Sequence, residues 1–237
     1  MKKPPTPADP LLMRLIRAII ADDASEVAKL LESSPTLARQ RLQIGASRHA
    51  SREFFFEQIK HYLYAGDAPL HAAAAGYRLN IARKLIEHGA DVKGANRRGA
   101  QPLHYAADGG PSSPHWNPEA QAQTIALLVS QGADPNALDK SGVAPLHRAV
   151  RQRCLAAVDS LLRNGADIRL QNKSGSTPLH LAVQNTGKSG SGSAESKVLQ
   201  KEIIVRLLKG GADPKDRDGR GRTVRQSIKS DWIQALF

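Results

Sequence analysis

"APLHAAAAG" at residues 68–76 returns as "QPLHYAADG" at 101–109, "APLHRAVRQ" at 144–152 and "TPLHLAVQN" at 177–185. The prolines stand at Pro69, Pro102, Pro145 and Pro178, and a second signal, Gly-Ala-Asp, begins at Gly89, Gly132, Gly165 and Gly211. From each proline to the following glycine the separations are 20, 30, 20 and 33 residues, whereas from glycine to the next proline the separation is always 13. Length variation is therefore confined to one place inside the unit. Without 10 extra residues in the second copy and 13 in the fourth, the period is 33 throughout. Self-similarity at a fixed period of this size marks a stacked repeat architecture.

The residue types fit that reading. Proline suits the first position of a helix, where its missing N–H is not needed and its φ is already set. The alanines that follow (Ala73 and Ala74, Ala106 and Ala107, Ala149, Ala182) let one short helix lie close to its neighbours. A second helix carries an apolar pair near its end: Leu85 and Ile86, Leu128 and Val129, Leu161 and Leu162, Leu207 and Leu208. The glycine beyond each pair supplies the left-handed residue that stops the helix. One such unit cannot bury its own apolar face, so the units must stack.

A 33-residue unit carrying Pro-Leu-His and Gly-Ala-Asp resembles the ankyrin repeat, over residues 63–222. The resemblance implies an all-α repeat solenoid, an ankyrin-repeat stack of antiparallel helix pairs joined by turns or β-hairpins. It divides the chain into a disordered N-terminal tail (1–8), an N-terminal capping helix pair (9–40) opening on Asp9 and Pro10, and a connecting segment with an aromatic cluster (41–62). Repeat 1 (63–95), repeat 2 with an insertion (96–138), repeat 3 (139–171) and repeat 4 with a Gly/Ser insertion (172–217) follow, then a degenerate C-terminal capping repeat (218–237). The threonine usual before Pro-Leu-His survives only as Thr177; Ala68, Gln101 and Ala144 replace it. Loss of a helix N-cap typically costs ~0.5–2 kcal/mol, so these repeats are expected to be less stable than idealised ones.

Charge and cysteine content bound the function. The chain has 34 basic and 22 acidic residues, a formal net charge of +12, which favours acidic partners, nucleic acid or anionic membrane without choosing among them. Cys154 is the only cysteine, so no intrachain disulfide forms. Arg14 and Arg17 interrupt the apolar N-terminal stretch and no small-residue cleavage site follows, which argues against a secretory signal. No uninterrupted apolar stretch approaches the ~18 residues of a membrane span. The expectation is a soluble cytoplasmic protein, monomeric by itself.

Four histidines recur with the repeat: His71, His104, His147 and His180. Equivalent residues on stacked units lie roughly 8–10 Å apart, too far to share one zinc ion with its ligands at about 2 Å. The resemblance implies instead that they hydrogen-bond backbone between repeats. Cys154 has no phased His or Asp partner and reads as an inert thiol. "GKSGSGS" at 187–193 lacks phosphate-loop spacing, and "DPKDRDGRG" at 213–221 lacks the glutamate that closes a calcium loop. No catalytic residue, cofactor or metal is expected.

What remains is surface. The resemblance implies recognition through turn tips and the exposed side of the first helix. Those positions hold Arg97, Arg98, Lys140, Lys173, Arg220 and Arg222 at the tips, and Arg151 and Gln184 at helix ends. Tyr105 and Arg148 occupy a further equivalent position, and Tyr64 lies in the turn entering the first repeat. The five aromatics Phe54, Phe55, Phe56, Tyr62 and Tyr64 are expected to cover an end of the stack, with Tyr64 facing solvent. Trp116, in the first insertion, reads either as a cap on underlying helices or as a rigid binding anchor. The first insertion is expected to lead into a helix start at Asn117 and Pro118 and the second to be a flexible Gly/Ser loop, with stacking requiring neither. The leading function is a non-enzymatic interaction module or scaffold whose basic concave face binds an acidic protein. The alternatives are a nucleic-acid-binding protein, against which the tips lack base-stacking aromatics, and a regulatory or inhibitory subunit of an enzyme.

Overall fold

The computed structural model describes residues 9–47, 51–111, 115–185 and 192–237, so the 1–8 tail and most of the Gly/Ser run at 187–193 lie outside the described residues. Helix pairs succeed one another along the chain: α1 (Pro10–Ile20) and α2 (Ala24–Ser33), α3 (Pro69–Ala75) and α4 (Leu79–Glu87), α5 (Pro102–Ala106) and α6 (Pro118–Ser130). They continue as α7 (Pro145–Arg151) and α8 (Leu155–Arg163), α9 (Pro178–Ala182) and α10 (Ala194–Lys209), and end in the short α11 (Val224–Ser227) and α12 (Asp231–Gln234). One continuous apolar core runs from Leu12 to Ile233 through every pair. The first member of each apolar pair, Leu85, Leu128, Leu161 and Leu207, is fully buried. Gly89, Gly132, Gly165 and Gly211 take φ of 81–96°, the left-handed backbone expected where those helices stop.

Each repeat histidine makes two bonds. Its Nδ1 accepts the N–H of the residue before the proline: Ala68 to His71 (3.0 Å), Gln101 to His104 (3.1 Å), Ala144 to His147 (3.2 Å) and Thr177 to His180 (3.2 Å). Its Nε2 faces a carbonyl of the next repeat: Ala100 (3.2 Å), Val143 (3.0 Å), Ser176 (3.1 Å) and Arg222 (3.4 Å). This is the inter-repeat bridging implied by the resemblance. A second ladder runs through the turns. Oδ1 of Asn96, Asp139, Asn172 and Asp218 accepts the backbone N–H groups two and four residues on, at 2.8–3.1 Å. These side chains at matching positions close each turn into an Asx motif.

The insertions are not passive loops. In pairs without an insertion the first helix ends in a tight turn, with one non-glycine residue in left-handed backbone: Asp22 (φ 62°), Tyr77 (φ 55°) and Arg153 (φ 58°). The next N–H then returns to the helix: Asp23 to Ala18 O, Arg78 to Ala73 O and Cys154 to Ala149 O, at 2.9–3.0 Å. In the second repeat the residue matching Arg78 is Pro111, which has no N–H, and in both inserted repeats a glutamine side chain of the second helix serves the corresponding carbonyl. Gln121 Nε2 donates to Ala106 O (2.9 Å) and Gln200 Nε2 to Ala182 O (2.7 Å). Both glutamines also donate to the carbonyl two residues on, Asp108 O (3.3 Å) and Gln184 O (2.7 Å). The same carbonyls receive Tyr77 Oη (2.6 Å) and Arg153 Nη2 (2.9 Å) from the preceding repeat. The second insertion also ends in helix rather than loop: Ser193 caps α10 through Ser196 N–H at 3.2 Å, and α10 has 16 residues where α8 has 9.

Two substitutions test this account in urea melts. Gln200→Ala removes the buried donor to the Ala182 and Gln184 carbonyls and should cost about 1–3 kcal/mol, the usual range for losing a buried hydrogen-bond partner. Gln101 caps nothing and its Oε1 is buried without a partner. Gln101→Thr should gain ~0.5–2 kcal/mol by restoring the side-chain cap that Thr177 provides; an unchanged midpoint would count against the cap.

Candidate binding face

The turn tips are stitched along one edge of the stack. Arg97 N–H donates to Ala65 O and Lys140 N–H to Arg98 O, both at 2.9 Å, and Gly219 N–H to Ser174 O at 2.8 Å. Lys173 Nζ donates to Lys140 O. This brings the predicted cations together: Arg97, Arg98, Lys140, Lys173, Arg220 and Arg222 are all exposed. Arg222 is neutralised by Asp218 at 2.8 Å. Arg97, Arg98, Lys140 and Lys173 form no ion pair among the described residues. Tyr64 is half-buried and carries two guanidinium groups, Arg98 at 4.8 Å and Arg97 at 5.7 Å from its ring centroid. Arg97 also donates to Ala46 O, which ties the tip to the preceding segment.

Two predicted contact residues, Tyr105 and Arg148, turn inward, and Trp116 takes the capping alternative. Tyr105 is 1% exposed, so it cannot face a partner. Its hydroxyl donates to Asp67 Oδ2 (2.7 Å) and accepts from Asn96 Nδ2 (2.9 Å), which also donates to Asp67 Oδ1 (2.8 Å). Tyr64 N–H completes the set on Asp67 at 2.6 Å, so this buried carboxylate has a donor for each charge-bearing oxygen. Burial pushes the Tyr105 hydroxyl well above its ordinary value, with the Asp67 charge adding to it. Arg148 is not a free cation: it bridges Asp108 (2.6 Å) and Asp139 (2.9 Å). Burial raises the Asp108 carboxyl, but the hydrogen bonds from His61 and Arg148 outweigh it and hold the group at about 2. Trp116 is half-buried against the core, and its Nε1 donates to Gln121 Oε1 at 2.7 Å. It braces the glutamine that carries the insertion. Arg151 and Gln184 remain exposed at helix ends.

The aromatic cluster divides between core and surface. Phe54 is buried, Phe56 packs on the core, and Tyr62 is 38% exposed. Phe55–Phe56 (β1) pairs antiparallel with His61–Tyr62 (β2), and the Phe55 and Tyr62 rings lie 4.7 Å apart. Sequence reading misses this hairpin because its turn has no glycine or Asn-Gly signal; Lys60 takes the left-handed backbone instead (φ 48°, ψ 37°). His61 stacks on Tyr105 at 4.3 Å and sets Nε2 3.4 Å from Asp108 Oδ2. Hairpin, α3, α5 and α7 enclose a concave cleft of about 610 Å³.

The thiol and imidazole groups are committed to structure. Cys154 is buried and donates Sγ–H to Gln121 Oε1 at 2.9 Å; burial pushes the thiol up to about 11. Both nitrogens of each repeat histidine are already occupied, which leaves none for a metal. Among the described residues no cluster of three or more His, Cys, Asp or Glu could hold a metal ion, and no helix is long and apolar enough to cross a membrane.

Family models match along most of the chain: ankyrin repeats (3 copies) over residues 15–113, ankyrin repeats (many copies) over 128–182, and ankyrin repeat over 98–140 and 174–219. Cyclin-dependent kinase 4 inhibitor B of Bos taurus is 33% identical over 99 residues, covering 41% of this chain and 67% of that protein. The Mus musculus inhibitor of the same name is 34% identical over 89 residues, covering 37% of this chain and 60% of that protein. E3 ubiquitin-protein ligase KEG of Arabidopsis thaliana is 32% identical over 148 residues, 59% of this chain but only 8% of the ligase.

The histidine bridges predict acid sensitivity. Burial lowers His71, His104 and His147, with His104 brought to about 4 by burial and then by the Arg148 charge. The unfolded chain takes up protons near the ordinary ~6.5 that the folded chain refuses. Stability is therefore full above ~6.5 and falls on acidification, for His104 down to about 4, by up to ~1.4 kcal/mol per pH unit, with His71 and His147 acting in the same direction. Urea midpoints at pH 7.5 and 5 should differ accordingly, and His104→Asn should flatten the slope while lowering stability overall.

Proposed function

The chain belongs to the ankyrin-repeat family, and from that premise we propose that it is a non-catalytic protein-interaction module that binds an acidic surface or segment of a partner through its turn tips and concave face. The observation that carries this reading is the row of cations on one stitched edge. Arg97, Arg98, Lys140 and Lys173 come from three successive turns and have no carboxylate within ion-pair distance among the described residues. Uncompensated charge at the same phase of a rigid frame steers an oppositely charged partner and fixes its register. The family itself marks a protein-binding role. The likeness to cyclin-dependent kinase 4 inhibitor B adds the reading of a regulatory subunit that inhibits an enzyme. The module acts as a monomer in this reading, with nucleic acid as the rival ligand for the same charges.

Replacing Arg97, Arg98, Lys140 and Lys173 together by Glu should abolish partner capture while leaving circular dichroism unchanged. Wild-type binding should weaken with added salt, since exposed charges are screened within ~8–10 Å at physiological ionic strength. Undiminished capture by the variant removes the basic edge from the mechanism. Loss confined to a labelled oligonucleotide, with protein partners retained, gives the edge to nucleic acid.

A further inference from the structure

The β1–β2 hairpin changes what the concave face can accept. Its Ile59 packs on Gly76 so closely that a Cβ there would lie 2.9 Å from Ile59 Cγ2. Its His61 reaches the second repeat, stacked on Tyr105 and set against Asp108. The hairpin thus lies across the end of α3 and walls the groove at its first repeat. From that wall the 610 Å³ cleft opens over α5 and α7, a volume within the ~300–1,000 Å³ range of ligand clefts.

The cleft is lined by five cationic side chains and two carboxylates. The carboxylates, Asp108 and Asp139, are both taken by Arg148. Lys60 pairs with Glu57 (2.8 Å) and Arg78 with Asp22 (3.2 Å). Arg98, on the turn tip, and Arg151, at the end of α7, are exposed and have no ion-pair partner among the described residues. Two open guanidinium groups on different elements of one cleft fit carboxylates, which arginine binds in a two-pronged geometry.

Resting on the function proposed above, we infer that this cleft receives the acidic C-terminal tail of the partner protein. The segment enters along α7 and runs toward the hairpin, its carboxylates meet Arg98 and Arg151, and its chain ends at the wall. A chain continuing in both directions would have to climb over the hairpin. A chain end avoids that climb and brings one more carboxylate into a cationic cleft.

The test uses two random-peptide display libraries, one with free C-termini and one with the same random stretch flanked on both sides. Acidic sequences should be enriched from the free-terminus library alone. A synthetic peptide from that selection should lose at least about tenfold in affinity when its C-terminus is amidated, and a similar factor against Arg151→Glu with unchanged circular dichroism. Equal enrichment from both libraries, or an amide that binds as well as the acid, overturns the terminal-tail inference. Peptide binding that ignores Arg151→Glu overturns the cleft as its location. If neither library yields acidic sequences while the four-tip variant still loses its partner, the cleft inference fails and the basic-edge reading stands. If the four-tip variant also keeps its partner, both fail.

Discussion

Each turn of this solenoid hangs on an imidazole that uses both of its nitrogens. Nδ1 fixes the start of its own first helix, and Nε2 holds a carbonyl immediately before the start of the next. Helix initiation and stacking are thereby one interaction, and a repeat cannot form its cap correctly without placing its neighbour. Nearest-neighbour coupling of this kind is what makes a stack of marginal units cooperative. It also explains why Ala68 and Ala144 survive at N-cap positions without an acceptor side chain. The histidine has already satisfied the cap's own N–H, so only the reciprocal half of the capping box is lost. At the last turn Gln226 takes the histidine's place, and its Oε1 accepts Thr223 N–H at 2.9 Å.

The same economy governs the insertions. A first helix must find a donor for the carbonyl near its end. A tight turn supplies the N–H of the fifth residue on, at the cost of one non-glycine residue in left-handed backbone, about 1–2 kcal/mol. In the longer connection of the second repeat the matching residue is Pro111, which has no N–H to give. Gln121 and Gln200 supply the donor from the second helix, and Tyr77 and Arg153, the strained residues of the preceding repeats, reach across to the neighbouring carbonyl. Alternate repeats are therefore complementary, the tight turn of one bracing the long connection of the next.

The candidate binding face combines a closed network with an open edge. Beneath the first tips, Asp67 is buried and held by Tyr64, Asn96 and Tyr105, which fixes the tip backbone in place. Nearby, His61, Asp108, Arg148 and Asp139 form a second connected network on the cleft floor, with Arg148 shared between the two carboxylates. Charges outside these networks stay in solvent, where pairing with a partner costs less desolvation than burying a lone ion. A tip backbone fixed in this way, carrying exposed cationic side chains, is the frame on which the proposed recognition of an acidic surface rests.

How much of this was legible depended on whether the signal was periodic. Pro-Leu-His, the paired leucines and Gly-Ala-Asp recur at a fixed phase, and each acts within one turn of helix, so the sequence by itself determined the helix pairs, their stops and the stacked core. The tip cations were legible for the same reason. Tyr105 and Arg148 share that phase and were read as candidate contacts, but a position in the repeat does not say which neighbours lie beside it. Asp67 lies 38 residues from Tyr105 and Asp108 lies 40 from Arg148, and those acids draw the two side chains in. Trp116 likewise turned inward to meet a glutamine whose role exists only because its repeat is longer. The hairpin was hidden because Lys60 stands where turn chemistry would place glycine or asparagine. Local propensity and spacing decide elements that close their own hydrogen bonds. Contacts between distant residues, where one buried charge or one orphan carbonyl must find its donor, are decided only when the chain has stacked.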